Sequence, residues 1–213
     1  MTRILLVRHG ESTANLEGLF AGDYDAPLTD LGHAQAECTA NFVISNYQVD
    51  AVYSSDLTRA YDTSKHIADK VNLPVHTEKG LREIKGGLWE AKPFARLGDT
   101  HPEEYRLILN DIGNAWCPEG ESVAQLDQRV WEAVCRIARE NEGKTVVIAT
   151  HATPVRVVQW HMTGLSADAM QSIPWVSNAS VTELKWENGV LSPVKVGQDA
   201  HLADMKTVLP STI

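Results

Sequence analysis

The sequence predicts an α/β fold built around a mostly parallel sheet. Three short apolar runs, at residues 4–7, 50–54 and 145–149, are typical of strands that are buried on both faces. Long segments with apolar residues at helical spacing separate these runs, at residues 30–46, 56–70 and 122–141. Strands that alternate with helices indicate a parallel sheet, because a helix is the usual connection between parallel strands.

One more helix and one more short strand are predicted between these elements. Residues 153–163 have helical character, with Thr153 suited to the N-cap and Pro154 to the first helical position. Residues 74–77 indicate a short strand. Both elements fit the alternation of strands and helices.

The C-terminal part predicts a β-hairpin. Two strand-like stretches, residues 180–186 and 190–196, flank the pair Asn188-Gly189. Asn-Gly favours a tight turn, because both residues accept a positive φ. From about residue 200 there is no clear pattern, and we expect a frayed tail.

The segment from about 84 to 121 differs from the rest of the chain. It contains five glycines and three prolines, residues that interrupt regular elements. We expect a loop-rich insertion with one or two short helices, which forms a cap on a single domain spanning residues 1–213.

Composition and charge limit the class of partner. The formal net charge of −9 argues against broad contact with nucleic acid or anionic membrane. No stretch approaches the ~20 apolar residues of a membrane span, and the apolar run at the N-terminus is too short for a signal peptide. The three cysteines are widely spaced, which is typical of reduced thiols, and we expect a soluble, cytoplasmic protein.

Polar side chains suited to phosphate follow each of the three apolar strands. Arg8 and His9 end the first, a segment leading to Arg59 follows the second, and His151 follows the third. Ligands of open α/β sheets bind beyond the carboxyl ends of the strands, so these side chains are expected to converge on one pocket. Two guanidinium groups match the geometry of phosphate oxygens, and the helix start after His151 adds free N–H groups.

Two histidines in such a pocket indicate phosphoryl transfer. A neutral imidazole is a competent nucleophile near pH 7, and a second, protonated imidazole stabilises charge in the transition state. The leaving alkoxide needs a proton, so a carboxylic acid is expected nearby. Glu83 is the first candidate, and four other carboxylates remain open as alternatives: Glu11, Glu90, Glu119 and Glu121.

These residues lie in motifs that resemble those of the histidine phosphatase superfamily, the phosphoglycerate-mutase-like family. Five stretches occur in the order that the family has, and the resemblance covers residues 3 to about 186. They are Arg8-His9-Gly10-Glu11-Ser12 with Thr13-Ala14-Asn15, residues 28–36 (LTDLGHAQA), residues 53–63 (YSSDLTRAYDT), residues 81–90 (LREIKGGLWE) and residues 118–122 (PEGES).

The resemblance implies a fold and a set of roles. The fold is a three-layer α/β/α sandwich with a mixed, mostly parallel sheet, and neither a metal nor a cofactor is needed. His9 is implied as the nucleophile and Glu83 as the acid and then the base. Further residues are implied to bind the phosphoryl group or the rest of the substrate, or to take part in catalysis: Arg8, Ser12, Asn15, Gly22, Arg59, His151 and Ala152.

A phosphatase acting on a small-molecule phosphate ester is favoured over two alternatives. The first alternative is a cofactor-dependent phosphoglycerate mutase, whose relatives carry a longer insert with basic residues. The second is a non-catalytic phosphate-binding module. The substrate and a homodimer remain open, as do the roles of four cap residues: Lys85, Trp89, Lys92 and Arg96.

Overall fold

The protein is organised around one six-stranded sheet. The computed structural model describes residues 1–207. The strands lie side by side in the order β3-β2-β4-β1-β5-β6. Their bounds are β1 Thr2–Arg8, β2 Ala51–Ser54, β3 Val75–Thr77, β4 Thr145–Thr150, β5 Val181–Glu187 and β6 Val190–Gln198. The expected strands are thus all present in this part of the chain.

Six α-helices connect and cover the strands within residues 1–207. Their bounds are α1 Thr13–Glu17, α2 Asp30–Asn46, α3 Thr58–Val71, α4 Pro102–Asn110, α5 Val123–Glu140 and α6 Ala152–His161. Short 3-10 helices occupy Lys79–Leu81, Gly87–Trp89, Phe94–Asp99, Ile112–Asn114, Ala167–Ser172 and Ala200–Met205. No helix among these residues is long and apolar enough to cross a membrane.

Both faces of the sheet are buried. Ile4 and Leu6 of β1 contribute to the larger apolar cluster, which includes α5 and α6 residues. Leu5 and Val7 point the other way, into a cluster with α2 and α3 residues. Alternate side chains of one strand therefore pack under two helical layers. The predicted three-layer α/β/α sandwich is confirmed.

The sheet is mixed in the way that the sequence predicts. β1, β4, β2 and β3 run parallel, and β5 pairs antiparallel with both β1 and β6. Asn188 and Gly189 connect β5 to β6, with φ of 53° and 81°. Both positive angles are those of a tight hairpin turn, so this prediction is confirmed.

The segment from 84 to 121 carries one α-helix and three short 3-10 helices. Trp89, Leu97 and Ile112 of this segment are buried in the same apolar cluster as Ile4 of β1. Gly87 adopts a φ of +57°, and a Cβ there would collide with the Pro118 carbonyl. The two ends of the segment therefore pack directly on each other.

Two local predictions were wrong. Helix α6 begins two residues earlier than expected, with His151 rather than Thr153 at the N-cap position. Pro154 is then the third helical residue, where it is tolerated because N–H groups of the first turn have no intrahelical partner.

The expected frayed tail is also wrong for residues 200–207. A 3-10 helix spans Ala200–Met205, and Gln35 Nε2 donates to the Met205 carbonyl (2.7 Å) and to Thr207 Oγ1 (2.9 Å). These contacts fasten the segment to α2. The last part of that prediction, residues 208–213, lies outside the described residues.

Candidate active site

The carboxyl ends of three neighbouring strands form the floor of one cavity. Arg8 of β1 lies in register with Thr150 of β4, and Ser54 of β2 with Ala149 of β4. The residues that follow these positions therefore meet at one edge of the sheet. The cavity above them has a volume of about 350 Å³.

His9 lines this cavity and packs against His151, which is fully buried and does not line it. Their ring centroids are 5.2 Å apart, with the planes inclined at 61°. The separation is that of two groups that can contact one phosphoryl group from different sides. The spatial convergence expected from the sequence is therefore present for both imidazoles.

One backbone contact fixes the tautomer of His9. Its Nδ1 lies 2.6 Å from the Gly10 carbonyl oxygen, which can only accept, so Nδ1 carries the proton. Nε2 then has a free lone pair, and it makes no hydrogen bond to any of residues 1–207. His9 is thus oriented with an unprotonated nitrogen available for attack.

The surroundings of His9 keep it neutral. Burial lowers its pKa well below the ordinary value of 6.5, and the nearby charges of Arg59 and Arg8 act in the same direction. A neutral imidazole is the nucleophilic form.

His151 is fully buried and lies against a serine that the sequence reasoning missed. Its Nε2 is hydrogen-bonded to Ser55 Oγ (2.8 Å), and its Nδ1 has no partner within residues 1–207. Burial, followed by the charges of Arg59 and His9, lowers its pKa well below 6.5. The protonated form considered in the sequence analysis therefore requires an anion beside the ring, which raises the pKa.

Two buried arginines supply positive charge to the cavity. Arg8 donates from Nη1 to the Val176 carbonyl (2.5 Å), while its buried Nε has no partner within the described part of the chain. Burial lowers the pKa of Arg8 to about 10, with Glu83 opposing this shift and Arg59 adding to it. Arg8 therefore stays charged at neutral pH.

Arg59 is held by a loop rather than by a carboxylate. Its Nη2 donates to the carbonyls of Ala21 and Gly22 and its Nη1 to that of Tyr24, each at 2.9 Å. Burial lowers its pKa. These three bonds leave Nε and one Nη1 proton for a ligand.

Glu83 lies between the start of α6 and the cap. Its Oε1 accepts from the Ile84 N–H (2.8 Å) and its Oε2 from the Thr153 N–H (3.2 Å). It lines the cavity and is 9% exposed. Thr153 is the second residue of α6, where the N–H has no intrahelical partner and can bind this carboxylate.

The alternative carboxylates considered from the sequence do not line this cavity. Glu11 accepts from Thr29 Oγ1 (2.8 Å), and Glu121 is paired with Arg129 (2.7 Å). Glu90 binds backbone N–H groups of the loop. The second carboxylate that does line the cavity is Glu17, an exposed residue of α1 that the sequence did not indicate.

The remaining predicted binding residues differ in whether their polar groups are free to bind a ligand. Asn15 lines the cavity, and its Nδ2 has no partner within residues 1–207. Ala152 lines it too, with the unpaired N–H of the first helical position. Ser12 also lines it, but its Oγ caps α1 and hydrogen-bonds to Asn15.

Gly22 does not line the cavity. Its N–H donates to Glu90 Oε2 (3.1 Å) and its carbonyl accepts from Arg59. A Cβ at this position would collide with the Ile84 carbonyl and the Glu90 carboxylate. Gly22 thus belongs to the support of Arg59, and the neighbouring Phe20 and Ala21 form the wall.

Asn178 is a buried residue of the site that the sequence did not indicate. Its Nδ2 donates to the His9 carbonyl (3.1 Å) and to Asn15 Oδ1 (3.2 Å). It lies in the irregular segment before β5, which carries no motif. It thereby links the backbone at His9 to the side chain of Asn15.

The basic residues of the cap do not line the cavity. Arg96 is exposed and paired with Asp99 (3.0 Å), and Lys85 lies in a different surface depression beside Glu83. Trp89 is 1% exposed and packs edge-on against Phe20. The cap wall of the cavity is apolar and consists of Ile84, Pro93, Phe94 and Ala95.

No group of three or more potential metal ligands occurs among residues 1–207.

The sequence model of the histidine phosphatase superfamily (branch 1) matches residues 4–199 of this chain. The chain belongs to this superfamily. The resemblance stated from the motifs is thereby confirmed.

Relatives and solved structures support the same membership. The chain is 29% identical over 204 residues to phosphoserine phosphatase 1 of Hydrogenobacter thermophilus, covering 96% of each. It is 30% identical over 187 residues to a probable phosphoglycerate mutase GpmB of Yersinia pestis, covering 88% of this chain and 86% of the relative. The structure of Bacillus stearothermophilus YhfR matches with a TM-score of 0.90 and 27% identity, covering 95% of this chain and all of that one.

Proposed function

We propose that the protein hydrolyses small phosphomonoesters through a phosphohistidine formed on His9. The observation that carries this proposal is the free Nε2 of His9, fixed by the bond from Nδ1 to Gly10, beside two buried guanidinium groups. Such an arrangement combines an oriented nucleophile with electrostatic stabilisation of the transferring group.

The proposed reaction has two steps. In the first, His9 Nε2 forms a bond to phosphorus while the bond to the ester oxygen breaks, and protonated Glu83 gives its proton to that oxygen. In the second, Glu83 takes a proton from water, the water oxygen attacks phosphorus, and the bond to Nε2 breaks. Arg8, Arg59 and His151 bind the phosphoryl oxygens in both steps.

Asn15 and Ala152 complete the proposed binding set. Each has an N–H group without a partner in the described part of the chain, and each lines the cavity with His9. We assign Ser12 and Gly22 supporting roles, because their polar groups are used by Asn15, Glu90 and Arg59.

The apolar cap wall favours a phosphatase over a mutase. A phosphoglycerate mutase has to hold a substrate carboxylate, which lies within three carbon atoms of the phosphate, while the phosphoryl group leaves and returns. The cations lining the main cavity among residues 1–207 are Arg8 and Arg59, and the cap contributes none. Both arginines are engaged at the phosphoryl end in our proposal.

The test measures where the phosphoryl group goes. The protein is incubated with p-nitrophenyl phosphate, and separately with 3-phosphoglycerate with and without 2,3-bisphosphoglycerate, while free phosphate and 2-phosphoglycerate are followed. We expect release of phosphate from the aryl ester and at least a ~10³-fold loss in His9→Ala. The exposed His33→Ala is the matched control and is expected to retain activity. Rapid formation of 2-phosphoglycerate without free phosphate would contradict the proposal.

We also propose that residues 1–213 form one domain in which the segment 84–121 is a cap, that the protein works in the cytoplasm, and that it needs no metal. The burial of Trp89, Leu97 and Ile112 in the core shared with β1 supports the single domain. A homodimer stays an open alternative to the monomer.

A further inference from the structure

A second chamber opens beside the main cavity. It has a volume of about 140 Å³, and it shares five wall residues with the main cavity: Phe20, Ile84, Phe94, Thr153 and Trp175. Its far wall is formed by aliphatic side chains that include Ile108, Leu109 and Ile112. A molecule that extends from the phosphoryl end can therefore continue into an apolar space.

Arg156 of α6 lies at this chamber. It is 4% exposed, and its Nη2 donates to the carbonyls of Met170 and Gln171, both at 3.1 Å. Its guanidinium carbon lies 4.1 Å from the ring centre of Trp175, a cation–π contact that holds the group in place. The side chain is thus oriented by its surroundings before any ligand binds.

Arg156 has no counter-charge within residues 1–207. It forms no ion pair there, its buried Nε has no partner, and its Nη1 makes no hydrogen bond. Burial alone lowers its pKa to about 10, so the group is charged at neutral pH. A buried charge without a partner is costly, which points to an anion supplied from outside.

Gln171, a further polar side chain of the chamber, is already satisfied. Its Nε2 donates to the Leu109 carbonyl (2.8 Å), and its Oε1 accepts from the Ile112 N–H (3.1 Å). Arg156 is therefore the cation that an incoming group would meet.

The two sites lie one helical turn apart along α6. Ala152 and Arg156 are four residues apart on α6, a rise of about 6 Å. Thr153, which lines both spaces, lies between them. A body of the size of one aromatic ring that starts at the phosphoryl end would therefore extend past Thr153 into the chamber.

We propose that the chamber binds the leaving group of the substrate, and that this group is a flat, apolar body carrying a carboxylate opposite the phosphate. The carboxylate accepts from Arg156, and the body lies against Phe20, Phe94 and Trp175. This inference rests on the proposed function only for the position of the phosphoryl group.

Binding of two non-hydrolysable ligands tests the proposal without requiring turnover. The affinities of 4-carboxybenzylphosphonate and 4-methylbenzylphosphonate are measured by calorimetry on the whole protein. We expect the carboxylate ligand to bind at least about tenfold more tightly, the size of one charge-assisted hydrogen bond. Equal affinities, or tighter binding of the methyl ligand, would overturn the proposal whatever the catalytic activity.

Variants locate the preference at Arg156. In Arg156→Gln the two ligands are expected to bind equally, whereas the matched control Arg96→Gln, which removes an exposed arginine of the cap, keeps the preference. A preference that survives in folded Arg156→Gln would also overturn the assignment.

A second variant covers the case in which Arg156→Gln fails to fold. Leu109→Trp places an indole in the half-buried far wall of the chamber. Both benzylphosphonates are expected to bind at least about tenfold more weakly to it, since the space for the ring is lost. Unchanged affinities would place the ring elsewhere and refute the proposal. Failure of phosphate release from every ester, with the binding preference intact, would instead refute the proposed function.

Discussion

At the residue scale, the chemistry depends on which atoms of each side chain are already engaged. His9 uses Nδ1 on Gly10, so Nε2 is the atom left for phosphorus. Glu83 uses both carboxyl oxygens on backbone N–H groups, which fixes its position, and it forms no ion pair within residues 1–207. Asn15 and Ser12 differ in the same way. Asn15 has a free amide N–H group for a ligand, whereas the hydroxyl of Ser12 is used in a helix cap.

Glu83→Gln separates the acid from the other groups of the site. The amide keeps the shape but has no acidic proton to give, so alkyl phosphates, whose leaving groups need protonation, lose more activity than aryl phosphates. We expect a loss of about 10²- to 10⁴-fold in kcat for an alkyl ester and a clearly smaller loss for p-nitrophenyl phosphate. Steady-state kinetics with both esters measure the difference.

Glu17→Gln is the matched control, because Glu17 is the other carboxylate that lines the cavity. It is expected to lower both activities equally and only slightly. Equal losses for the two esters in Glu83→Gln, with a selective loss in Glu17→Gln, would assign the proton to Glu17.

Motifs revealed the residues that touch the cavity better than those that support it. Arg8, His9 and Arg59, which line the cavity, and the buried His151 beside them could be predicted to converge because each follows or lies close to the end of a parallel strand. Asn178 could not, because its bonds to His9 and Asn15 are made across more than 160 residues from an irregular segment. Such contacts leave no periodic signal in the sequence.

At the scale of elements, one carboxylate organises the loop that holds Arg59. Glu90 accepts from the N–H groups of Gly22 (3.1 Å), Asp23 (2.9 Å), Tyr24 (2.9 Å) and Gly86 (2.6 Å). Carbonyls of the same loop then accept from Arg59. The loop therefore connects Glu90 of the cap to Arg59 at the phosphate end of the site.

Glu90→Gln tests this support. An amide has one acceptor oxygen, and its NH₂ group would face N–H groups, so the loop loses part of its support. We expect kcat/KM to fall at least about tenfold, mainly through KM, with a matching rise in the inhibition constant of inorganic phosphate. Kinetics with p-nitrophenyl phosphate and phosphate inhibition give both quantities.

Glu103 is an exposed carboxylate in the first turn of α4, and Glu103→Gln is the control. It should change neither kcat/KM nor the inhibition constant of phosphate. A fall in kcat with unchanged phosphate affinity in Glu90→Gln would mean that Glu90 acts on the chemical step and not on Arg59.

The bounds of elements were predictable where the pattern was strong. The strands and the long helices α2, α3 and α5 follow directly from burial and from helical spacing. The start of α6 did not follow the local preference of Thr153 and Pro154, and the structure has His151 at the N-cap position. Residues 200–207 are fastened through Gln35, a contact made across about 170 residues.

At the scale of the whole molecule, the strand order explains why distant segments meet. The chain leaves β1 toward β2 on one side and leaves β4 toward β5 on the other, so the ends of β1 and β4 lie at the point where the connections diverge. Ligand sites of open α/β sheets form at such points. Fold class could be predicted from the alternation of elements, whereas the path of the cap depends on packing such as that of Gly87 against Pro118.

Trapping the phosphorylated enzyme tests the central claim most directly. The protein is mixed with a phosphomonoester, quenched within milliseconds under alkaline conditions that preserve phosphohistidine, and analysed by mass spectrometry of the intact chain and its peptides. Up to one phosphoryl group per chain, acid-labile and located on Nε2 of His9, is the expected result. A phosphoryl group on another residue, or its persistence in His9→Ala, would contradict the mechanism.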